Sequence, residues 1–377
     1  MTEPLSKIPD GMRYYFGREA RLRRRVEDRA MSVFDGWSYE EISTPAVDYY
    51  ALFERGMGRE AARRAFRFAD TDGRLLALRP DVTSTIARAA STLFASRPRP
   101  LRLCYSAAVF RRHAPTHAEW RRESSQIGCE LIGAGGGAAD CEVLAIAAEI
   151  LTRLGLGEKY CVAINDAEVF NGVSDGLALD AAERAEMRAL VDVRDSVALE
   201  RFLAPRAPAA ECAAFARLTR LSGKGETFER ARAVITNARS SSALSRLEAT
   251  WRVVESLGLA ERFEVDLGDV SGLDYYTGLT FKIYLEGAGT RVGSGGRYDR
   301  LTENFGRAEP AVGFVLDLDA LTAVLARSEG SANGDAEGRE ASEVAGVDDA
   351  SLFLDATRRR ARGERVLLKG REVTRDA

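Results

Sequence analysis

Two stretches of alternating hydrophobicity, joined by a charged loop, constrain this chain more than any other feature. Leu101, Leu103 and Tyr105 share one side of the first stretch, which runs on to Phe110-Arg111-Arg112. In the return stretch Ile127, Cys129 and Leu131 share one face while Gln126, Gly128 and Glu130 share the other, because side chains two apart on a strand point the same way. The polar segment 113–121 between them contains Pro115 and Trp120. Such a pair commits the chain to a sheet in which sequence neighbours lie side by side and antiparallel. It also decides the next segment. Gly133-x-Gly135-x-x-Ala138, followed by a helix expected over Asp140–Leu154, formally matches a dinucleotide-binding loop. That loop requires a parallel unit and an acid about 20 residues on at a strand end. Neither is present, so the reading is set aside. An amide and a carboxylate on one face, Gln126 and Glu130 with a glycine between them, leave room for a ligand carrying an amino group. A solvated sheet face is the equal alternative.

The second informative stretch is Gly268–Phe281, GDVSGLDYYTGLTF. An alternating strand, Phe263–Leu267, runs into it, and its glycines mark a tight turn. Two adjacent tyrosines beside an aspartate offer ring faces for packing and hydroxyls for orientation, which suits a small polar ligand. On residue chemistry alone, ordinary strand tyrosines of a β core are the simpler reading.

Around these features the pattern gives a helix at Arg18–Phe34, a short strand at Ser38–Ile42 and a hairpin from Arg67 to Pro80. Asp81 or Thr83 caps a helix running to Leu93. A strand is expected at Lys159–Ile164. A helix-rich insertion follows over about 168–258, with Asp180 and Glu183 as a capping pair. Then come a strand at Phe281–Leu285, the glycine-rich stretch Gly293–Asp299, a helix at Asp299–Phe305 and a strand-to-helix segment at Ala311–Leu325. The resulting division is a core over 1–327, a Gly/Ala/Ser/Glu-rich linker over 328–350 and a short tail over 351–377.

Composition removes several function classes. A net charge of −3 does not advertise a nucleic-acid surface. No apolar run approaches the ~18 residues of a membrane span, and the first residues lack the apolar core of a signal peptide. No membrane association and a cytoplasmic location are therefore expected. The five cysteines are widely spaced without a CxxC pair, as for reduced thiols. His113 and His117 stand four apart, but Pro115 separates them and position 114 is alanine, so a loop is expected rather than a metal site.

The order of these pieces resembles the catalytic core of class II aminoacyl-tRNA synthetases, specifically histidyl-tRNA synthetase, over about residues 8–325. The resemblance rests on Ile8–Gly11, the first helix and strand ending at Pro45, Leu78–Thr83, Val109–Arg111, Gln126–Glu130, Gly272–Gly278, Gly295–Asp299 and Ala311–Phe314. It implies an α+β fold, an antiparallel sheet flanked by helices with a helical insertion. It also implies a histidine pocket formed by Asp81, Thr83, Arg111, Gln126, Glu130, Tyr275 and Tyr276, with no metal or cofactor.

Three positions depart from the family pattern. Where the synthetase turn begins with an arginine, this chain has Ser271. Where the third class motif carries a glycine and the arginine that stacks on adenine, it has Asp317 and Ala320. Losing one preorganised electrostatic group costs roughly 10²–10³ in rate, and the lost cation–π stack adds ~0.5–2 kcal/mol in binding. The roughly 50 residues after Leu325, about 20 of them linker-like, also fall short of the ~50–100 that an anticodon-binding domain needs. A synthetase core with its histidine pocket kept and its ATP and tRNA features lost is similar to the regulatory subunits of ATP phosphoribosyltransferase. That resemblance implies a non-catalytic protein with no tRNA partner. It would self-associate as a dimer and join a short-form catalytic subunit, as a hetero-octamer, with L-histidine as effector. A divergent histidyl-tRNA synthetase and a synthetase-derived tRNA- or amino-acid-binding protein stay open beside it.

Overall fold

The computed structural model describes residues 7–112, 121–177, 179–270, 276–332, 342–344 and 348–368. Two compact units divide the chain, Met1–Val324 and Leu325–Ala377, with the boundary inside a helix.

The first unit opens with α1 (Gly17–Gly36), β1 (Glu40–Glu41), β2 (Val47–Tyr49), α2 (Tyr50–Met57), α3 (Arg59–Ala62), β3 (Arg67–Ala69), β4 (Leu75–Leu78) and α4 (Thr83–Ser91). The long hairpin follows as β5 (Leu101–Phe110) and β6 (Glu123–Ile132), then α5 (Gly137–Arg153) and β7 (Tyr160–Asp166). The insertion comprises α6 (Ala167–Ser174), α7 (Ala181–Asp192), α8 (Ser196–Leu203), α9 (Ala209–Leu218), β8 (Ser222–Gly223), α10 (Glu226–Arg232) and α11 (Ala238–Ser256). The unit finishes with β9 (Phe263–Asp266), β10 (Leu279–Leu285), β11 (Gly293–Arg297), β12 (Ala311–Asp317) and the start of α12 (Leu318–Ala332).

One nine-stranded sheet organises this unit, in the order β1-β5-β6-β12-β11-β10-β7-β9-β8. The six strands from β5 to β7 are antiparallel to their neighbours. At the flanks β1 runs parallel to β5, and β9 parallel to β7. The sheet is therefore mixed rather than antiparallel throughout. The cause at one flank is the insertion: it is the crossover between β7 and β9, long enough to bring β9 back in the same direction. Because β6 lies between two antiparallel partners, the glycine-rich segment after it has no parallel unit to serve.

Helix α1 buries Leu22, Val26, Ala30, Val33 and Phe34 at helical spacing. Each of the leucine, valine and phenylalanine side chains is worth ~1.5–3 kcal/mol when fully covered. The ring of Phe34 lies 5.9 Å from that of Phe314 in β12, which places α1 against the back of the sheet. On the other face Val82, Ile86, Ala87 and Ala90 of the α4 region pack with Leu101, Leu103, Tyr105, Val109 and Tyr298. In the insertion, Asp180 and Glu183 form the expected capping box.

The glycine-rich stretch, to which the sequence pattern assigns no element, is a sheet strand, β11. Two local expectations give way. The helix expected over Asp299–Phe305 is only a 3₁₀ turn at Thr302–Phe305. The segment read as linker is partly regular, since α12 continues to Ala332 and β13 (Ser342–Val344) forms within it. In the second unit β13 pairs in parallel with β14 (Val366–Leu368), and α13 (Asp349–Ala361) lies between them in sequence.

Candidate functional site

The front of the sheet carries a cleft of about 400 Å³. Strand β6 lends it Ser124, Gln126 and Glu130, and the start of α4 lends Asp81, Thr83 and Ser84. Arg64, Tyr105, Arg111, Tyr276, Arg291, Ser294, Tyr298 and Asp317 add to the polar lining. The alternation read from the sequence thus does place Gln126 and Glu130 on one face, and that face is the cleft rather than open solvent. The glycine between them has a steric reason. A Cβ at Gly128 would lie 2.5 Å from the Phe314 carbonyl oxygen and 2.6 Å from the Tyr105 hydroxyl.

Glu130 is the innermost acid, 2% exposed. Thr83 donates its hydroxyl to Glu130 Oε1 at 2.6 Å, and the Tyr298 hydroxyl donates to Oε2. Burial pushes the Glu130 carboxyl up to about 8; the Thr83 and Tyr298 hydrogen bonds pull against that, and Asp81 adds to it. The Tyr105 phenol beside it is pushed far above its ordinary value, first by burial and then by Glu130 and Asp81. Gly313, across from Glu130 in β12, is held to glycine because a Cβ there would run into Glu130 Oε2 and the Cys129 carbonyl.

Asp81 caps α4 by accepting from the Ser84 amide at 2.8 Å and the Ser84 hydroxyl at 3.0 Å. Burial raises its carboxyl, opposed by those hydrogen bonds and by the Arg111 guanidinium. Arg111 donates Nε to the Pro80 carbonyl at 3.1 Å. Tyr276 lies against β11, where a Cβ at Gly296 would come 2.8 Å from its ring. Six of the seven residues expected for the pocket, Asp81, Thr83, Arg111, Gln126, Glu130 and Tyr276, therefore line one cleft. Tyr275 and Ser271 lie outside the described residues, as do His113 and His117. No group of three or more His, Cys, Asp or Glu among the described residues is arranged to hold a metal.

Asp317 ends β12 directly opposite Gln126 and lines the cleft. Its Oδ1 accepts from the Ala320 amide at 2.9 Å, so it also caps α12. Burial raises its carboxyl, with Arg121, Arg111 and Arg23 opposing. Ala320 is not among the residues lining the cleft.

Tyr298 and Tyr105 are two residues of the cleft that sequence reasoning missed. Tyr298 stands within the Gly295–Asp299 motif, so its proximity to a conspicuous glycine run was the available signal. Tyr105 reads as core from its alternation, and nothing in that pattern shows its hydroxyl facing Gly128.

The chemistry of the cleft is that of a small polar ligand with hydrogen-bond donors. A buried acid waits at its floor, a second acid and an amide flank it, and Arg111 supplies positive charge for an anionic group.

Comparison with known proteins bears on the fold and the family. The histidyl-tRNA synthetase family pattern matches residues 11–321. The ATP phosphoribosyltransferase regulatory subunit of Moorella thermoacetica is 37% identical over 370 residues, covering 98% of this chain and 93% of that one. Its counterpart from Syntrophotalea carbinolica is 37% identical over 334 residues, covering 88% of this chain and 78% of that one. Among solved structures, an ATP phosphoribosyltransferase regulatory subunit/histidyl-tRNA synthetase from Bacillus halodurans C superposes with a TM-score of 0.88 at 28% identity, covering 100% of this chain and 96% of that one. Histidyl-tRNA synthetase from Nostoc sp. PCC 7120 shares the fold, with a TM-score of 0.79 at 20% identity over 99% of this chain and 88% of that one.

Proposed function

We propose a function on one premise: the chain belongs to the histidyl-tRNA synthetase family, in the branch of ATP phosphoribosyltransferase regulatory subunits. Its role is regulatory, in histidine biosynthesis, and the name of the branch implies a catalytic partner. The finer reading is ours. The chain carries no catalysis of its own, activates a short-form catalytic subunit and confers feedback inhibition by histidine. The cleft binds L-histidine as effector through Asp81, Thr83, Arg111, Gln126, Glu130, Tyr275 and Tyr276. The chain dimerises and enters a hetero-octamer with its partner, without tRNA.

The observation that carries this reading is the convergence of six of those residues on one cleft, around an acid that hydroxyls hold. Ser271 and Ala320 support the absence of adenylation, because each stands where the family has an arginine that the reaction would use, and Asp317 puts an acid where the family has a glycine beside the nucleotide. Linkage supplies the regulation: histidine that favours one assembled state shifts the catalytic subunit by the same coupling free energy, typically ~1–3 kcal/mol.

The test mixes the purified chain with the short-form catalytic subunit and follows condensation of ATP with phosphoribosyl pyrophosphate. Activation by the chain and inhibition by histidine are expected, and activity indifferent to the chain would sink the reading. Histidine-dependent ATP–pyrophosphate exchange by the chain alone would select a divergent synthetase instead. Tight tRNA binding that weakens steeply with salt would select a tRNA-binding protein.

A further inference from the structure

The helical insertion is stitched to the strand that leads into the tyrosine stretch. Strand β8, within the insertion, pairs with β9 (Ser222 with Asp266, Gly223 with Val265). The Leu267 amide donates to the Leu221 carbonyl at 3.0 Å. Gly268 passes so close to the Thr219 carbonyl that a Cβ would collide with it. Arg194, between α7 and α8, pairs with the Asp266 carboxylate. One step further, Val270 is itself part of the insertion's apolar core, packed with Phe170, Met187, Leu199, Phe202 and Phe215. The same segment is pinned to the main sheet, where Lys282 Nζ lies 2.6 Å from Asp269 Oδ1 and Asn165 Nδ2 donates to the Asp269 carbonyl at 2.9 Å.

Past the stretch the chain meets the insertion a second time. Tyr276 lines the effector cleft, and it also lines a cavity of about 540 Å³ whose far wall is Asn171, Asp175, Arg188 and Arg239 of α6, the following turn, α7 and α11. The segment that supplies the cleft's tyrosine is thus bordered by the insertion at both ends, through a packed core on one side and a shared aromatic wall on the other. Packed cores shift between discrete arrangements rather than deforming continuously. A crossover held only at its two chain ends could move independently of the cleft, but this one is also tied to the segment at Arg194, at the Thr219–Gly223 stretch and at Val270.

We infer that the insertion is coupled to the effector cleft, with Val270 and Asp266 as the positioning residues through which occupancy of the cleft reaches the insertion helices. This rests on the cleft being a histidine site. The functional consequence is a division of labour. The cleft residues set how tightly histidine binds, and Val270 with the Arg194–Asp266 pair sets how far binding is felt beyond the cleft.

The experiment uses the full chain with L-histidine as probe, read by calorimetry and by amide hydrogen exchange. In the wild-type protein, saturating histidine is expected to slow exchange in 181–223 by about fivefold or more, the lower end of typical coupling factors. Val270→Ala and, independently, the milder surface variant Arg194→Gln should keep histidine affinity within about threefold while the slowing is lost, a split that additivity of distant sites does not produce. Val270→Ile should restore the wild-type response, whereas a purely structural role for the position would move affinity and exchange together. A wild-type protein that binds histidine without any change over 181–223 overturns the coupling alone. One that binds no histidine overturns both the coupling and the functional reading beneath it.

Discussion

Two buried acids on opposite sides of strand β6 have been given opposite treatments. Asp319, 3% exposed, accepts from the Tyr15 hydroxyl at 2.8 Å and the Ser125 amide at 3.0 Å, and it pairs with the Arg23 guanidinium. Arg23 in turn stacks on the Tyr15 ring, 3.8 Å from its centroid, and reaches the Ser125 hydroxyl at 2.8 Å. Glu130, 2% exposed, has hydroxyl donors from Thr83 and Tyr298 and no ion pair among the described residues. The first acid is a fastening that ties α1 and the chain before it to the sheet, with its charge met inside the protein. The second is buried without a cation, so burial pushes its carboxyl up to about 8 against the pull of the two hydroxyls, and a further donor entering the cleft would stabilise its ionised form. A buried acid with a cation is structure; in the reading proposed above, the buried acid with hydroxyls alone is where the ligand's donor belongs.

The largest expected effect breaks the fastening. Asp319→Ala leaves the Arg23 guanidinium, already lowered from its ordinary value by burial, without its carboxylate. Breaking a buried pair from one side typically costs ~3–5 kcal/mol, so the denaturation midpoint should fall sharply. The corresponding change at Glu130 should not do this, because the folded protein holds that carboxyl protonated up to about 8, and Glu130→Gln puts a neutral amide of the same shape in its place. Equal destabilisation by the two substitutions would erase the distinction between them.

The next prediction uses pH. Below about 4.5 Glu130 holds its proton folded or unfolded, while between there and about 8 only the folded protein holds it. The folded state then binds the extra proton, so this group's contribution to stability declines as pH rises through the window, by at most ~1.4 kcal/mol per pH unit. In thermal melts across pH 5 to pH 8, Glu130→Gln should flatten that decline. A slope unchanged by the substitution would place the titration elsewhere. Histidine binding should follow the same proton. If the ligand donates to ionised Glu130, affinity rises with pH toward 8 and binding releases a proton, detectable by calorimetry in two buffers of different ionisation enthalpy. Glu130→Gln should bind at least about tenfold more weakly at pH 8, given ~1.5–3 kcal/mol for a hydrogen bond to a charged group.

The contrast between the acids also shows what the sequence could reveal. Gln126, Gly128 and Glu130 were legible as one face because strand alternation is a local pattern, and the structure puts that face in the cleft. The capping pair Asp180 and Glu183 was legible for the same reason. Strand β11 was not, since Gly293, Gly295 and Gly296 carry no hydrophobic alternation. Their reason is steric: a Cβ at Gly295 would lie 2.5 Å from both the Gly313 carbonyl and the Phe281 ring. The short strand expected at Ser38–Ile42 is there as β1, but its parallel pairing with β5 spans two residues and leaves no pattern to read. Asp319 escaped because its partners Arg23 and Tyr15 are about 300 residues away in the chain, and pairing at that range leaves no local signature. The strand at Ser342–Val344 was hidden by a composition that reads as linker.

Steric confinement of Glu130 gives a prediction of intermediate size. Gly313→Ala places a methyl group against Glu130 Oε2 and the Cys129 carbonyl in a sheet with little room to move. Overpacking of this kind typically costs ~1–3 kcal/mol. The expected result is a lower melting temperature together with loss of histidine binding, measured in parallel. Retained binding at unchanged stability would mean that the cleft floor is looser than its geometry implies.

The finest test leaves the fold alone and removes one donor. Tyr298→Phe deletes the hydroxyl that donates to Glu130 Oε2 and leaves Thr83 on Oε1. Since that hydrogen bond opposes the effect of burial, its loss should move the Glu130 titration above about 8. The pH at which histidine affinity rises should move with it, while stability changes by only ~0.5–1.5 kcal/mol. Thr83→Val should shift the same titration in the same direction, because the two hydroxyls act on one carboxylate, and the double variant should shift it further. If neither substitution moves the titration, hydroxyl donors are not what holds Glu130. Its difference from Asp319 would then have to come from burial alone, which the two acids share almost equally.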